Sequence, residues 1–359
     1  MAKDPLKDKA YLRLLEPWKG GHTPFDTGLG NRLLHWDVAY RINEANGFDH
    51  FIELEYKYWR ELRFIQMPGI WPFRIESAYY NNTFFKLYGD DGEMQRFISK
   101  HHFDREAGEI TKLPLLGNKE VQEVLTNQKI NLTEKRYYVD FDWDYVGEFR
   151  VKYKTHTPSG LSRVRIIQKS IADATKSTGA YAVGIHLRRG AGVFKSINDL
   201  KELPDSVSKN PETQAIHEHT IYKYYKNSMY IRLIEEILQI NPNQKFYISS
   251  DLKSNEYTFI KDRFGDRIKT REDIIKNLPT GDVQGINFNN PADPDKVALE
   301  SVVDMFTLAN CQFILGAPHS TWLDAITKIR PVRYMSIKNP RDTILKEYKR
   351  AIKHVSSML

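Results

Sequence analysis

The stretch Gly184–Gly190, GIHLRRG, runs from an apolar segment into two adjacent arginines and then turns on a glycine. With the residues before it, YAVGIHL has the apolar run typical of a buried strand. Side chains alternate along a strand, so its two faces carry Val183, Ile185 and Leu187, and Gly184 and His186. Arg188 and Arg189 follow at the carboxyl end. Guanidinium groups stay charged and pair bidentately with phosphate oxygens, so we expect a pyrophosphate there.

From about residue 160 onward, short apolar strands alternate with helical patterns. This alternation predicts an α/β fold with a doubly wound parallel sheet, in which ligands bind beyond the carboxyl ends of the strands. After YAVGIHL the predicted strands are KFYISS, QFILGA and RYMSI. The predicted helices are SRVRIIQKSIADATKS, a segment with an apolar stripe from Tyr230 to Leu238, Asn255–Phe264, a segment from Ala298 to Ala309, and one that begins at Ser320.

The first half is less regular. The turn TGLGNR leads into a predicted helix, LLHWDVAYRINEANG, which ends at Gly47, and FIELEY is predicted as the strand that follows. GLGN lacks the third glycine of a dinucleotide fingerprint. We therefore interpret it as a tight turn that presents Asn31 and Arg32 to an interdomain cleft. Turn residues in THTPSG place the domain boundary between residues 157 and 158, giving domains 1–157 and 158–359.

Two further strand ends in the second half carry polar groups. YISSD places Ser249, Ser250 and Asp251 at the end of one strand, where a carboxylate can bind a ribose or a base. In LGAPHSTW, Ser320 and Thr321 open a helix, and helix N-termini bind phosphate. Each signal has a plain structural alternative: a surface ion pair for the arginines, a core residue for His186, and helix caps for the hydroxyl residues.

Composition narrows the function classes. The net charge of +7 is spread among 46 acidic residues, and no zinc-finger or RNA-binding signature occurs, which argues against nucleic-acid binding. Cys311 is the single cysteine. The first twenty residues lack the apolar segment of a secretory signal, and no apolar run is long enough to span a membrane, so we expect a cytoplasmic protein.

The motifs resemble, in the same order, those of the GT-B fucosyltransferase superfamily, which includes the nodulation and core α-1,6-fucosyltransferases and the protein O-fucosyltransferases. VGIHLRRGAG is similar to the H-x-R motif, FYISSDLKSNEYTFIKDRF to the second motif, and DMFTLANCQFILGAPHSTWLDAI to the third. GLGNR is similar to the glycine turn of the O-fucosyl and α-1,2 enzymes. The resemblance covers about residues 160–330 and the turn at 28–32.

The resemblance implies a GT-B fold, with two Rossmann-like domains facing a cleft, and inverting, metal-independent transfer of fucose from GDP-fucose to an oligosaccharide or glycoconjugate. Arg188 and Asn31 are the implied catalytic residues: Arg188 contacts the β-phosphate, and Asn31 faces the reacting sugar or the acceptor. The residues implied to bind the donor are His186, Arg189, Ser250, Asp251, Ser320, Thr321 and Gly30. Gly190-Ala191-Gly192 departs from the core enzymes, which have an acid there.

Several alternatives stay open at this stage. Another GDP-sugar as donor, or a nucleotide-sugar-binding protein without catalysis, fits the same motifs. DFDWD (Asp140, Asp142 and Asp144) has the spacing of a metal site, although a solvated strand face explains it better and we expect no metal cofactor. The C-terminal segment DTILKEYKRAIKHVSSML is basic and amphipathic, with Ile344, Leu345, Tyr348, Ile352 and Val355 on one side. It predicts either peripheral membrane contact or a helix that packs back on the N-terminal domain.

Overall fold

The computed structural model describes residues 10–14, 29–47, 50–54, 59–70, 115–116, 118–125, 130, 132–134, 136–139, 159–187, 227–250, 258–316, 320–337 and 339–356. The chain divides into two compact units, Met1–Ile167 and Gln168–Leu359. Both units contain parallel β-sheet and α-helices, which confirms the α/β class.

The second unit is built on a five-stranded sheet in which every neighbouring pair is parallel. Its strands are β7 (Ala182–Leu187), β8 (Lys245–Ser250), β9 (Ile268–Lys269), β10 (Phe313–Gly316) and β11 (Arg333–Ser336). Their order across the sheet is β11-β10-β7-β8-β9. The chain thus moves outward from β7 to β9, returns beside β7 at β10 and continues to β11. This order confirms the doubly wound sheet.

Helices cover both faces of this sheet. They are α3 (Lys169–Gly179), α4 (Asn227–Ile240), α5 (Thr258–Phe264), α6 (Arg271–Ile275), α7 (Pro294–Asn310), α8 (Thr321–Ile329) and α9 (Arg341–Ser356). Short 3-10 turns lie at Gly265–Arg267 and Thr280–Val283. Val183, Ile185 and Leu187 of β7 are buried with apolar residues of α4, α5 and α9 in one core cluster. The alternation seen in the sequence therefore matches the two faces of the strand.

Gly184 allows the opposite face of β7 to approach α7 closely. A Cβ atom at this position would lie 2.6 Å from Cδ2 of Leu308 and 3.1 Å from Sγ of Cys311. Cys311 is buried just after α7, and burial raises the pKa of its thiol. The contact requires glycine because the helix has no room to move away in a close-packed interior.

The first unit has a four-stranded parallel sheet in the order β2-β1-β5-β4. Its elements are β1 (Tyr11–Leu14), α1 (Leu29–Ala45), β2 (Phe51–Glu53), a 3-10 turn at Arg60–Arg63, β3 (Ile65–Gln66), β4 (Leu115–Leu116), α2 (Asn118–Leu125), β5 (Arg136–Val139), a 3-10 turn at Gly160–Arg163 and β6 (Arg165–Ile166). The helix predicted after the glycine turn is α1. It ends at Ala45, and Gly47 follows it with a φ of 71°. We did not predict β1, β4 or β5.

The segment between the two units differs from the prediction. SRVRIIQKSIADATKS does not form one helix, because its first part forms a 3-10 turn and β6, which pairs antiparallel with β3. Asp37 of α1 accepts hydrogen bonds from the Ser159 hydroxyl (2.9 Å) and the Gly160 N–H (2.7 Å). These contacts attach residues 159–167 to the first unit, and the division falls ten residues after the predicted one.

The apolar side of α9 contributes to the core of the second unit. Ile344, Tyr348 and Ala351 are buried in the same cluster as β7, and Leu345 and Ile352 pack against it. The Tyr348 hydroxyl donates to Oε1 of Gln244 at 2.8 Å, beside the start of β8. This surface of the helix, on which the alternative of peripheral membrane contact depends, therefore packs against the core of the second unit.

Candidate functional site

The strand order creates a topological switch point between β7 and β10. From these two neighbouring strands the chain continues to opposite sides of the sheet, and the connections that follow them separate at their carboxyl ends. His186 of β7 lies in register with Gly316 of β10 at this edge. Open parallel sheets bind ligands outside the strands at such a point. The strand order and the motifs therefore indicate the same edge of the sheet.

The end of β8 lies directly beside the end of β7. Ser249 pairs with His186, and Ser250 with Leu187. The Ser250 hydroxyl donates a hydrogen bond to the Leu187 carbonyl at 3.1 Å, and the Ser250 side chain is buried. Ser250 thus fastens two strand ends together, and the three motif-bearing strand ends meet at one edge. Arg188 and Asp251 are the next residues in the chain after these two strand ends.

His186 connects the sheet to α8. Its side chain is buried, and its ring stacks on that of Trp322, with centroids 6.3 Å apart and planes inclined by 21°. The absence of a side chain at Gly316 leaves room for α8 and for His186. A Cβ atom at Gly316 would lie 3.3 Å from Cβ of His186 and 2.6 Å from Cδ1 of Leu323 on α8. The packing fixes the first turn of α8 against β7. Trp322 was not among the predicted site residues, although it directly follows the predicted hydroxyl pair.

The N-terminus of α8 carries Ser320 and Thr321. Ser320 is the N-cap residue, with an extended backbone (φ −84°, ψ 114°), but its side chain makes no capping hydrogen bond. A serine that only capped the helix would accept a hydrogen bond from the first turn. The first-turn N–H groups of a helix carry partial positive charge, which favours an anion at this end. The phosphate-binding role of Ser320 and Thr321 stays a prediction.

A buried ionic cluster lies behind the end of β8. Nη1 of Arg271, the first residue of α6, donates to Oδ2 of Asp304 and to the Ser250 carbonyl, both at 2.9 Å. The Tyr247 hydroxyl donates to Oδ1 of Asp304 at 2.6 Å. Burial raises the pKa of Asp304 to about 6, although Arg271 and Tyr247 act in the opposite direction.

We did not predict this cluster from the sequence. The available signal was Asp304 itself, an acid inside the apolar run Val302–Phe306 of a buried helix. Its partner could not be identified, because 33 residues separate Arg271 from Asp304.

The glycine turn of the first unit has a different structure from the one expected. Gly30 and Asn31 lie in the first turn of α1, and Gly30 is buried. Arg32 is not presented to a cleft: its guanidinium forms a buried bidentate pair with Glu61, at 2.9 and 2.6 Å, and lies over the Trp59 ring. A charged group inside the protein needs a paired partner, and Glu61 provides one for Arg32. The pair joins the first turn of α1 to the 3-10 turn at Arg60–Arg63.

Several predicted residues lie outside the described residues, namely Arg188, Arg189, Asp251 and the three acids of DFDWD. Their roles stay predictions. Among the residues that the structure does describe, no group of three or more His, Cys, Asp or Glu side chains is placed to hold a metal ion. Within the same residues, no helix combines the length and apolar character that crossing a membrane requires.

The strand order defines an open, doubly wound α/β unit, a class of fold in which ligands commonly bind at the switch point. Comparisons with known proteins add the following. No family model matches the chain, and no curated protein matches its sequence.

Among solved structures, the chain is similar to the α-1,6-fucosyltransferase NodZ soaked with GDP-fucose, at 12% identity and a TM-score of 0.40, with 90% of this chain and 93% of that chain covered. It is also similar to NodZ from Bradyrhizobium, at 11% identity and a TM-score of 0.42, covering 90% and 94%. A third similar structure is POFUT1 in complex with GDP-fucose, at 10% identity and a TM-score of 0.41, covering 94% and 100%.

Proposed function

We propose that this protein is a glycosyltransferase that moves fucose from GDP-fucose to a glycan acceptor, with inversion and without a metal ion. One observation carries the proposal: the strand order brings the ends of β7, β8 and β10, each with its own motif, to one switch point. The motifs resemble those of fucosyltransferases, and the sheet supplies the edge at which such motifs would act together.

The reaction requires stabilisation of the leaving group. The acceptor oxygen attacks the anomeric carbon, and the bond from that carbon to the β-phosphate oxygen breaks. GDP departs with an additional negative charge, and the proton of the acceptor hydroxyl passes to a general base or to water. Preorganised positive groups lower the barrier to such a step. We assign this role to Arg188, which follows β7 in the chain, and to the N-terminus of α8, where Ser320 leaves the helix uncapped by its side chain.

The remaining predicted residues complete the proposed donor site. Asp251 would bind the guanine or the ribose, and Arg189 and Thr321 would contact the diphosphate. His186 is buried against Trp322. We therefore propose that His186 shapes the site at the start of α8 and that it also binds the donor. Asn31, on α1 of the first unit, keeps its proposed role toward the reacting sugar or the acceptor.

The first experiment concerns nucleotide choice. We expect GDP to raise the melting temperature of the protein more than UDP or ADP does at equal concentration, because the donor is a GDP-sugar. GDP-fucose and GDP-mannose tested in the same assay identify the sugar. A protein that binds GDP selectively but releases no GDP from GDP-fucose with any glycan acceptor would be a binding protein, and a preference for UDP would contradict the proposal.

The second experiment concerns Arg188. Replacement Arg188→Ala removes the charge proposed to stabilise the departing GDP, and we expect turnover of GDP-fucose to fall by roughly 10²–10³-fold with little change in melting temperature. Arg263→Ala is the matched control, because Arg263 is an exposed arginine of the same unit that pairs with Glu235. Equal turnover in the Arg188→Ala variant and the control would refute this role.

A further inference from the structure

A buried ion pair holds the start of α1 in the first unit. The guanidinium of Arg32 donates two hydrogen bonds to the Glu61 carboxylate, at 2.9 Å to Oε2 and at 2.6 Å to Oε1. Its Cζ atom lies 5.2 Å from the centroid of the Trp59 ring. All three residues are at most 9% exposed. Arg32, Glu61 and Trp59 are here called the α1 anchor.

The partners of Arg32 in the anchor are held in place by their own turn. Trp59 precedes the 3-10 turn at Arg60–Arg63, and its carbonyl accepts a hydrogen bond from the Leu62 N–H at 3.0 Å. The Glu61 carbonyl accepts one from the Phe64 N–H at 2.8 Å. Because the carboxylate binds the guanidinium through two nitrogen atoms while the ring lies against it, the Arg32 side chain has one orientation, and the first turn of α1 is fixed with it.

Asn31, the residue immediately before Arg32, is in a different situation. Oδ1 of Asn31 is enclosed by the protein, but within the described residues no hydrogen-bond donor reaches it. An enclosed carbonyl oxygen is unfavourable unless a donor binds it, and the hydroxyl of a sugar is such a donor. The first turn of α1 therefore combines a fully paired anchor residue with a neighbour that can accept one more hydrogen bond.

Stability alone does not explain the α1 anchor. Both charges lose their water, and buried ion pairs are frequently no more stable than apolar side chains of the same volume. What a bidentate pair adds is direction, since two hydrogen bonds fix the plane of the guanidinium. In this chain the segment that is fixed in this way is the turn that carries Asn31.

We infer that Arg32 and Glu61 are positioning residues for sugar transfer: their pair fixes the first turn of α1 so that Oδ1 of Asn31 can accept a hydrogen bond from a hydroxyl of the reacting sugar or of the acceptor. The inference rests on the proposed function, which assigns Asn31 to these substrates. Neither Arg32 nor Glu61 is proposed to touch them, and both act through Asn31.

The test uses Arg32→Lys in the full chain. Lysine keeps the positive charge beside Glu61, but its single ammonium group cannot reproduce the bidentate pair or the contact with the Trp59 ring. GDP release from GDP-fucose is measured with the glycan that supports the fastest release by the wild-type protein. We expect kcat to fall by roughly ten- to a hundredfold, because the group that orients a substrate is displaced. The affinity for GDP, measured by calorimetry, should stay at the wild-type value, because the second unit is proposed to bind GDP.

Arg41→Lys is the matched control. Arg41 lies further along the same helix, in a buried pair with Asp37 whose Nε–Oδ2 distance is 3.1 Å. We expect this variant to lower the melting temperature much as Arg32→Lys does but to keep kcat near wild type. An equal fall of kcat in both variants would show that general loosening of α1 is the cause and would overturn the inference. If Arg32→Lys does not fold, Glu61→Gln, which keeps the side-chain length and one oxygen acceptor, is measured in the same way.

A double-mutant cycle separates positioning from an independent effect. If Arg32 acts through Asn31, then Arg32→Lys should lower kcat much less in an Asn31→Ala protein than in the wild type. Equal effects in both backgrounds, or an unchanged kcat in Arg32→Lys, would overturn the inference and leave the proposed function intact. If the wild-type protein released no GDP from GDP-fucose, the proposed function and this inference would both be overturned.

Discussion

Asp304 is a residue whose protonation the fold controls. It is 3% exposed, and the charged and titratable groups around it are Arg271 and Glu272 of α6 and Tyr247 of β8. Burial disfavours its charged form, and the net result is a pKa raised from 3.8 to about 6. Its neighbour Tyr247 responds in the same direction: burial raises the pKa of that hydroxyl well above its usual value, with the nearby carboxylate adding to the effect.

The raised pKa predicts how pH changes the stability of the second unit. A carboxyl group with a raised pKa in the folded state stabilises the fold below its unfolded pKa, and this contribution is lost as the pH rises through the folded pKa. The free energy of unfolding of wild type, minus that of Asp304→Asn, should therefore fall by about 2–2.5 kcal/mol between pH 4 and pH 7.

Urea titrations at several pH values measure this difference. Asp262→Asn, at an exposed acid on α5, serves as the control, and its difference from wild type should vary little with pH. Parallel pH curves for wild type and Asp304→Asn would show that Asp304 is not the titrating group.

At the residue scale, the position of a polar residue at a strand end was predictable, whereas its tertiary partner was not. His186 and Ser250 lie near the carboxyl ends of neighbouring strands, as the sequence indicated, and their roles toward the donor stay predictions. Arg32 was misinterpreted, since nothing near it in sequence indicates Glu61, 29 residues away, as its buried partner.

At the element scale, α9 is an amphipathic helix whose apolar side could pack either on a protein core or on a membrane surface. The pattern alone fits a membrane surface or a protein core, because both bury one side of a helix. The packing of Ile344 and Tyr348 shows that the core of the second unit takes this side. Ion pairs from Arg341 to Glu236 and from Arg333 to Glu347 join the helix to α4 and β11.

Replacement of Ile344 by alanine tests this role of α9. Ile344 is 1% exposed, so Ile344→Ala should lower the free energy of unfolding by about 2–5 kcal/mol through lost burial and the cavity left behind. Val297→Ala, at a residue that is 47% exposed, should change it by less than about 0.5 kcal/mol. Unchanged stability of Ile344→Ala together with weaker binding to anionic vesicles would favour the membrane hypothesis instead.

Element prediction succeeded for most strands of the second unit and failed for most strands of the first. KFYISS was predicted as a strand and is β8 over its full length, with five of its six residues buried between two neighbouring strands. β1 and β5 have four residues each and pair with each other across more than 100 residues of chain. Such strands depend on their partners rather than on their own sequence pattern.

At the scale of the whole molecule, the chain consists of two units with separate parallel sheets. The proposed nucleotide site uses strand ends and a helix N-terminus of the second unit alone, whereas Asn31 belongs to the first. The doubly wound order of the second unit was predictable from the alternation of strands and helices. The division into compact units falls ten residues after the predicted boundary, and the pairing of β6 with β3, which accompanies this division, leaves no local signal in the sequence.

Amide hydrogen exchange can show which of the two units binds the nucleotide. A ligand that binds only the folded state reduces opening of the structure around it, by about 2.7 kcal/mol at a hundred times its Kd. With saturating GDP, we expect slower amide exchange in peptides that contain the ends of β7 and β8 and the start of α8, and unchanged exchange in peptides from β1 and β5. Protection confined to the first unit would contradict the proposed location.

The close packing of Gly184 against Cys311 has a practical consequence. The chain has a single thiol, and in the folded second unit that thiol is enclosed and kept in its unreactive protonated form. Labelling by a maleimide dye therefore requires α7 to separate from β7, so the rate of dye attachment reports the opening of this unit. The natural sequence thus carries a single-site probe of its own unfolding, and no engineered cysteine is needed.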